Sequence, residues 1–280
     1  MHFQTEALHA GYDKDTQSTM AVPIYMSTAY EFRDVEHAAN LFALKELGNI
    51  YTRLNNPTTD VFEKRFAQLE GGEAAIATSS GMSAIFYAIA NAAEAGDNIV
   101  CASQLYGGSL TLFSHTLKRF GIEARYFDVQ NPQDAESLID DRTKVIFFET
   151  LTNPSIDVAN ISAITESADR HNILTVVDNT VATPALCRPF DHGVDVVVHS
   201  ASKYTTGQGL AIGGIMVERK GLVGKIKGNA RYPHFNEPDT SYHGLVYVDV
   251  PLPVYTLRAR LSLLRDLGAV SSPFNSWLFI

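Results

Sequence analysis

The sequence predicts an α/β fold built on a seven-stranded, mostly parallel sheet with helices on both faces. Short apolar runs, each of strand length, recur along the chain at 74–78, 98–102, 122–127, 144–149, 173–178, 194–199 and 212–217. Between them the apolar residues are spaced as in a helix, for example at Val61, Phe62, Phe66 and Leu69. Alternating strands and helices are typical of a parallel sheet layered by helices. Ligands of such sheets bind at the carboxyl ends of the strands, so the residues after each run are the first candidates for a site.

The same pattern divides the chain into three segments. Residues 1–58 are irregular, with one clear helical stretch at 38–47, and they cannot bury a core of their own. We therefore expect this N-terminal arm to contact a neighbouring subunit. Residues 59–250 form the large domain, and residues 251–280 begin a linker and a C-terminal domain.

Composition and charge exclude several classes of protein. The 280 residues carry a formal net charge of −9, which disfavours nucleic acid as a partner. The N-terminus has no basic region followed by an apolar core, and no apolar run reaches the roughly 18–20 residues of a membrane span. Cys101 and Cys187 have no metal-binding spacing and are expected to be free thiols in a reducing compartment. The histidines also lack metal spacing, so we expect no metal site. The absence of a signal peptide and of a membrane span, with the free thiols, favours a cytoplasmic protein.

A nucleotide site is not supported. The run from Gly207 to Gly209 begins like a dinucleotide-binding fingerprint, but Ile212 stands where the third glycine would be, and a strand follows where a helix is required. No Gly-Lys-Ser/Thr sequence of the Walker type occurs.

The turn after the first strand could bind an anion. Residues 79–83 read SSGMS, and an apolar helix is predicted for 84–95. A strand, a Ser/Gly turn and a helix N-terminus together offer free backbone N–H groups and the positive end of the helix dipole. Ser-Gly before a helix is often only a cap, so this motif is weak by itself.

Lys203 is the most informative residue of the chain. It follows the apolar run 194–199, with Ser200 and Ser202 before it and Gly207 and Gly209 after it. Because burial of an unpaired ammonium is costly, a lysine in such a place suggests a nucleophile that forms a Schiff base with an aldehyde cofactor. On this run alone a surface lysine at a strand end is equally acceptable.

Asp178 favours the cofactor interpretation. It ends the run 173–178, one strand–helix–strand excursion before Lys203. Pyridoxal phosphate (PLP) acts as an electron sink while its ring nitrogen is protonated, and proteins supply a Schiff-base lysine and a carboxylate beside that nitrogen. An acid after a strand can also be a helix cap, but Asp178 and Lys203 together make that reading weaker.

With these sites the chain resembles the PLP-dependent transsulfuration (Cys/Met metabolism) family, of the fold-type-I aminotransferase-like class. The segments that carry the resemblance are GNIYTRLNNPT at 48–58, TSSGMSA at 78–84, LYGG at 105–108, ETLTNP at 149–154, VDNT at 177–180 and HSASKY at 199–204. The segment EPDTSYHG at 237–244 resembles the sulfhydrylases of this family more than its cystathionine enzymes. The resemblance extends over essentially the whole chain.

The resemblance implies roles for individual residues. Lys203 would hold PLP and later shuttle protons, Asp178 would keep the pyridine nitrogen protonated, Tyr106 would stack on the ring, and Asn153 would bond to the 3′-oxygen. The phosphate ligands implied within the chain are Ser80, Gly81, Met82, Ser200 and Ser202. Many relatives have threonine where this sequence has Ser202.

Two further residues are implied to act across a subunit boundary. Tyr51 and Arg53 of the arm would reach the phosphate in a neighbouring subunit, where the planar guanidinium suits phosphate oxygens. The resemblance therefore implies a homo-oligomer, a tetramer built from dimers with shared active sites.

The implied reaction is γ-replacement on O-acetyl-L-homoserine with sulfide or a thiol, which gives homocysteine or methionine and acetate. The alternatives are another transsulfuration activity (cystathionine γ-synthase, cystathionine γ-lyase or methionine γ-lyase) or a PLP-binding form without turnover. The form without turnover is considered because members of the family continue into a C-terminal domain that we expect to be missing here. That domain carries the family's arginine for the substrate carboxylate. The apolar residues 278–280 are then expected to be exposed.

Overall fold

The computed structural model of the chain describes residues 2–280, and these residues form one seven-stranded sheet. The strands are β1 (Ala74–Thr78), β2 (Asn98–Ala102), β3 (Glu123–Phe127), β4 (Thr143–Glu149), β5 (Leu174–Asp178), β6 (Val196–His199) and β7 (Gly214–Glu218). Their order across the sheet is β1-β7-β6-β5-β4-β2-β3. Strands β3, β2, β4, β5 and β6 run parallel to one another, whereas β7 is antiparallel to both β1 and β6. The predicted seven-stranded, mostly parallel α/β fold is confirmed.

Helices and single turns connect the strands. The α-helices are α1 (Phe3–His9), α2 (Val35–Phe42), α3 (Pro57–Glu70), α4 (Gly81–Ala90), α5 (Gly107–Thr111), α6 (Leu117–Arg119), α7 (Asp134–Ser137), α8 (Ile161–Arg170), α9 (Thr183–Leu186), α10 (Val223–Ile226), α11 (Pro233–Asn236), α12 (Val254–Ala259), α13 (Arg265–Leu267) and α14 (Pro273–Phe279). Wider π turns lie at Leu112–Thr116 and Arg260–Leu264, and 3₁₀ turns at Pro189–His192, Thr240–Tyr242 and Tyr247–Asp249.

Helices cover both faces of the sheet, which explains its apolar strands. Strands β2, β4, β6 and β7 are buried along their whole length. Alternate residues of β7 show the two faces, since Met216 belongs to the large core that contains α4, while Ile215 and Val217 pack with α3. A strand buried on both faces reads as a continuous apolar run, and this is the signal that located it in the sequence.

The helix boundaries differ from the predictions where capping side chains decide them. Helix α4 begins at Gly81, three residues before the predicted start, because the Ser80 hydroxyl accepts a hydrogen bond from the Ser83 N–H at 3.1 Å. The arm helix predicted at 38–47 is α2, which starts earlier because the Asp34 carboxylate caps it at the His37 N–H, 2.7 Å away.

The arm contains a second helix that the sequence pattern missed. Helix α1 has no side-chain cap and no buried residue, so it lacks the apolar periodicity that identifies a helix. It is attached to α3 instead, where Arg65 Nε donates to the Ala10 carbonyl at 2.8 Å. Elsewhere in the arm Met20, Met26 and Val35 remain more than 70% exposed. Whether a neighbouring subunit covers them stays a prediction.

The last residues pack on the large domain. Tyr255 of α12 is fully buried in the main core, and its hydroxyl donates to the Ala88 carbonyl of α4. In α14 the Phe279 ring lies 5.2 Å from the Phe62 ring and is 7% exposed. The expectation that residues 278–280 are exposed is wrong: Phe279 is buried, and Leu278 and Ile280 are half-buried, because the α3 side of the sheet provides an apolar surface for this helix.

Glu218 makes the stability of this fold depend on pH. It ends β7 as a buried carboxyl whose Oε2 accepts from the Thr256 N–H at 2.5 Å and from the Thr256 hydroxyl at 2.7 Å. Burial raises its pKa to about 7, and the bonds from Thr256 offset part of that effect. Because the folded-state pKa lies above the unfolded one, the stabilisation is present at low pH and is lost as pH rises towards 7.

Glu218→Gln should remove this dependence. The glutamine amide can keep its oxygen bonded to Thr256 and carries no charge. The free energy of unfolding of the variant should therefore rise relative to that of the wild type by up to about 3 kcal/mol between pH 5 and pH 8. Urea unfolding at both pH values measures the difference. Glu166→Gln, at an exposed position of α8, is the control and should leave the profile unchanged. Parallel profiles for Glu218→Gln and the wild type would contradict the assignment.

Candidate active site

A cavity of about 560 Å³ opens at the carboxyl ends of β4, β5 and β6. The loops after five strands line it, because parallel strands bring their following loops to one edge of the sheet. The predicted site residues found in its lining are Ser80, Gly81, Met82, Tyr106, Asn153, Asp178, Ser200, Ser202 and Lys203. Positions spread over more than 120 residues of sequence are thus brought into one space.

One end of the cavity is suited to an anion. It is formed by the N-terminus of α4, where the Gly81 and Met82 N–H groups have no acceptor among residues 2–280. Glycine is required at position 81, since a Cβ there would lie 2.6 Å from the Cβ of Ser200. The turn and the lysine loop therefore touch at this point. Free N–H groups at a helix N-terminus provide a site for a phosphate group.

The two serines of the lysine loop (residues 200–213) already form hydrogen bonds within the chain. The Ser202 hydroxyl accepts from the Gly213 N–H at 2.9 Å and is 3.2 Å from the Gly213 carbonyl oxygen, to which it donates. The Ser200 N–H donates to the Thr180 hydroxyl at 2.8 Å. These bonds hold the loop against the neighbouring strand ends. Ser200 itself lines the cavity.

Asp178 lines the cavity on β5, the strand next to β6. It is half-buried at the end of β5, and its Oδ1 accepts from the Thr180 N–H at 2.9 Å. Burial raises the pKa of Asp178, while the hydrogen bonds from Thr180 and the positive charge available at His199 lower it in part. No lysine or arginine in residues 2–280 forms an ion pair with it. A cationic ring nitrogen placed here would supply the missing partner.

Lys203 lies in the cavity wall on the loop after β6. Its backbone N–H donates to the Ser200 carbonyl at 3.1 Å, and the side chain is exposed to the cavity. The expectation of a buried lysine is therefore wrong, because the loop 200–213 lies open at the sheet edge. Among the described residues Nζ has no hydrogen-bond or ion-pair partner, so the amine is available to a ligand.

Tyr106 and Asn153 also line the cavity. The Tyr106 ring is 50% exposed, and it lies so close to Gly108 that a Cβ there would be 2.5 Å from the ring Cε1. Glycine at 108 therefore lets the ring lie flat along the start of α5. Asn153 is exposed in the loop after β4.

Glu149 is a site residue that the sequence prediction missed. It ends β4 and is only 4% exposed, and it lines the cavity beside Asp178. Its Oε1 accepts from the Tyr106 N–H at 2.7 Å and its Oε2 from the Asn153 N–H at 2.9 Å. Burial raises its pKa to about 8; the negative charge of Asp178 adds to this and the two N–H donors oppose it. The signal that identified Asp178, an acid closing an apolar run, was present here too.

A buried polar network supports the floor of the site. The His199 Nε2 lies 2.5 Å from the Glu70 carboxylate, which also accepts from the Asn179 side chain at 3.1 Å. The Thr150 hydroxyl donates to the Asn179 side-chain oxygen at 2.9 Å. Helix α3 is thereby connected to the ends of β4, β5 and β6, so the strand ends that carry the acids are held together.

Tyr51 and Arg53 lie away from this cavity. The Arg53 guanidinium donates to the Arg265 carbonyl and sits 5.5 Å from the centre of the Tyr51 ring. Tyr51 is 39% exposed. Within the chain these residues do not complete the site, and their role at a neighbouring subunit's phosphate stays a prediction.

Comparison with known proteins agrees with this arrangement. The family model for "Cys/Met metabolism PLP-dependent enzyme" matches residues 4–280. The chain belongs to this family. Pyridoxal phosphate is the cofactor that the family shares, and the free N–H groups, the unpaired Asp178 and the available Lys203 amine fit its phosphate, ring nitrogen and aldehyde.

Members of the family that resemble the chain include sulfhydrylases and a cystathionine γ-lyase. An O-acetyl-L-homoserine sulfhydrylase of Leptospira meyeri is 45% identical over 98% of this chain. A solved structure described as an O-acetylhomoserine (thiol)-lyase of Campylobacter jejuni, with a pyridoxyl-lysine monophosphate, is 52% identical, covers the whole chain and has a TM-score of 0.98. Cystathionine γ-lyase of Lactobacillus plantarum, complexed with L-serine, is 30% identical over the whole chain, with a TM-score of 0.80.

The chain is shorter than these relatives. It spans 64% of the Leptospira protein, 69% of the Campylobacter chain and 62% of the Lactobacillus chain. In residues 2–280 no helix is long and apolar enough to cross a membrane, and no three His, Cys, Asp or Glu side chains are grouped to hold a metal ion.

Proposed function

We propose that the cavity at the ends of β4, β5 and β6 binds PLP and that the protein catalyses γ-replacement on O-acetyl-L-homoserine. The observation that carries the proposal is that Lys203, a helix N-terminus with free N–H groups and an acid without a cation among residues 2–280 all line one cavity. PLP, when bound, supplies an electrophilic aldehyde carbon and a ring that withdraws electrons from the substrate's Cα.

Lys203 is proposed to act as both the tether and the base. Its amine lies on a flexible four-carbon stem with no competing partner in residues 2–280, so it can reach the aldehyde. When it is not tethered, the same nitrogen would take up the proton from the substrate's Cα and release it nearby. An exposed position in the cavity wall is consistent with a group that must move between these tasks.

The remaining residues orient the cofactor and shield it. Asp178 keeps a proton on the ring nitrogen, because a half-buried carboxylate without a cation is stabilised by a positive charge beside it. Tyr106 would cover one ring face and Asn153 would donate to the 3′-oxygen. The phosphate would accept from the N–H groups of Gly81 and Met82 and from the hydroxyls of Ser80 and Ser200. The Ser202 hydroxyl would join them by giving up its bond to the Gly213 carbonyl.

The site is proposed to be completed by another copy of the chain. Tyr51 and Arg53 lie outside their own cavity, and the arm that carries them exposes large apolar side chains. In a homo-oligomer, with tetramers assembled from such dimers, these two residues would contact the phosphate of the partner's cofactor.

The proposed reaction breaks the Cγ–O bond of O-acetyl-L-homoserine and forms a Cγ–S bond with sulfide or a thiol. Acetate leaves, and the product is homocysteine or, with methanethiol, methionine. The sulfhydrylase activity is favoured over a cystathionine γ-lyase activity because the chain is 45% identical to the Leptospira sulfhydrylase and 30% identical to the Lactobacillus lyase.

Lys203→Ala tests the cofactor assignment. Without this amine PLP should no longer be held covalently, so the visible absorption band and α-proton exchange on O-acetyl-L-homoserine should both be lost. Borohydride reduction of the wild type followed by peptide mapping should place PLP on the peptide that contains Lys203. Lys220→Ala, at an exposed position after β7, is the control. PLP trapped on any other lysine would refute the assignment.

Asp178→Asn tests the ring-nitrogen contact. PLP should stay attached through Lys203, but the ring should lose the charge that stabilises electron density from Cα. Exchange of the substrate α-proton with solvent should then slow on the order of 10²–10⁴-fold. NMR exchange in D₂O measures this, with exposed Asp191→Asn as the control. Near-normal exchange in Asp178→Asn at full PLP occupancy would exclude the proposed role.

Mixing two inactive variants tests the shared site. Arg53→Ala lacks the partner's phosphate contact and Lys203→Ala lacks the amine, so a mixed dimer contains one site with both residues intact. Refolding the two together should restore part of the α-proton exchange that neither shows alone. If the mixture oligomerises but stays as inactive as its parents, Arg53 does not act across the boundary.

A further inference from the structure

Glu149 joins the loop after β2 to the loop after β4 by hydrogen bonds. Tyr106 follows β2, and Asn153 follows the neighbouring strand β4. Tyr106 is half exposed and Asn153 is exposed, so burial fixes neither residue. The buried carboxyl of Glu149 accepts from the backbone N–H of each, at 2.7 Å and 2.9 Å, with a different oxygen for each bond.

We propose that Glu149 is a positioning residue that fixes the distance between the backbones of Tyr106 and Asn153 and thereby sets the slot into which the cofactor ring fits. This inference rests on the proposed function, in which the Tyr106 ring and the Asn153 amide face PLP. Glu149 itself acts through these two residues and takes no part in proton transfer.

The geometry explains why this position holds a glutamate. Strand β4 ends at Glu149, and its backbone directs the side chain into the cavity edge between the two loops. A carboxyl group has two oxygens that can each accept, whether or not one of them carries a proton. A glutamine of the same size has one oxygen and an NH₂ group, so one of the two backbone N–H groups would face another donor.

The charge of Asp178 increases the contribution of the two N–H bonds that Glu149 accepts. Glu149 and Asp178 are paired across adjacent parallel strands, and Glu149 is buried while Asp178 is half-buried. The N–H bonds from Tyr106 and Asn153 offset part of the cost of burying Glu149, and they are lost if either loop moves away. Loop position and carboxyl burial therefore stabilise each other.

Hydrogen exchange of the PLP-free protein tests the clamp directly. In the wild type the amide hydrogens of Tyr106 and Asn153 should be protected. Glu149→Ala should accelerate exchange of both by at least tenfold, and Glu149→Gln, which is isosteric and expected to fold, should accelerate one of the two. Glu218→Gln is the matched control, since Glu218 is another buried carboxyl that accepts a backbone N–H but lies at the opposite edge of the sheet.

Cofactor binding supplies the second measurement. Glu149→Gln should weaken PLP binding about tenfold and reduce the visible circular dichroism of bound PLP, which reports the asymmetric surroundings of the ring. Glu218→Gln should change neither. Unchanged protection of both amides in folded Glu149→Gln, or unchanged dichroism, would overturn the proposal. Exchange in the PLP-free protein does not depend on where PLP binds, so failure of the proposed function would be seen separately, in the Lys203 peptide map.

Discussion

Two acids on adjacent strands, one buried and one half-buried, are the constraint around which the site is arranged. Glu149 closes β4 and Asp178 closes β5, and the parallel register places them directly opposite each other. Like charges that are shielded from water repel each other, so at least one must be neutral or matched by a cation. The two acids have different surroundings. Glu149 receives two backbone N–H groups, whereas Asp178 faces the cavity with only Thr180 and His199 to assist it.

The single antiparallel strand explains why the lysine lies where it does. A parallel neighbour of β6 would need a crossover back to the far edge of the sheet. Strand β7 instead runs in the opposite direction, so the connection at 200–213 turns over the cavity and returns beside its own strand. Lys203 is thereby held at the rim, close to the turn before α4. The network of Glu70, His199 and Asn179 fixes the strand ends beneath it.

Much of this architecture could be predicted from sequence because it follows from burial. Strands covered on both faces are continuous apolar runs, and the predicted starts and ends fall within two residues of the observed strands. The functional loops were found for the same reason, since Asp178 and Lys203 are polar residues at the ends of such runs. The antiparallel direction of β7 leaves no mark in the pattern. Glu149 also closes an apolar run, so its position could have been found, but its role could not, because its partners are backbone N–H groups, which every sequence contains.

The close contact between Gly81 and Ser200 lets one segment of the chain restrict which residue a distant segment can hold. A methyl group at position 81 would collide with the Ser200 side chain, and both residues belong to backbone that is fastened on either side. The same methyl carbon would lie 2.8 Å from the Ser200 Cα, so glycine at 200 would not make room for alanine at 81. Among related sequences position 81 should therefore keep its glycine whatever residue stands at position 200, 119 residues further along the chain.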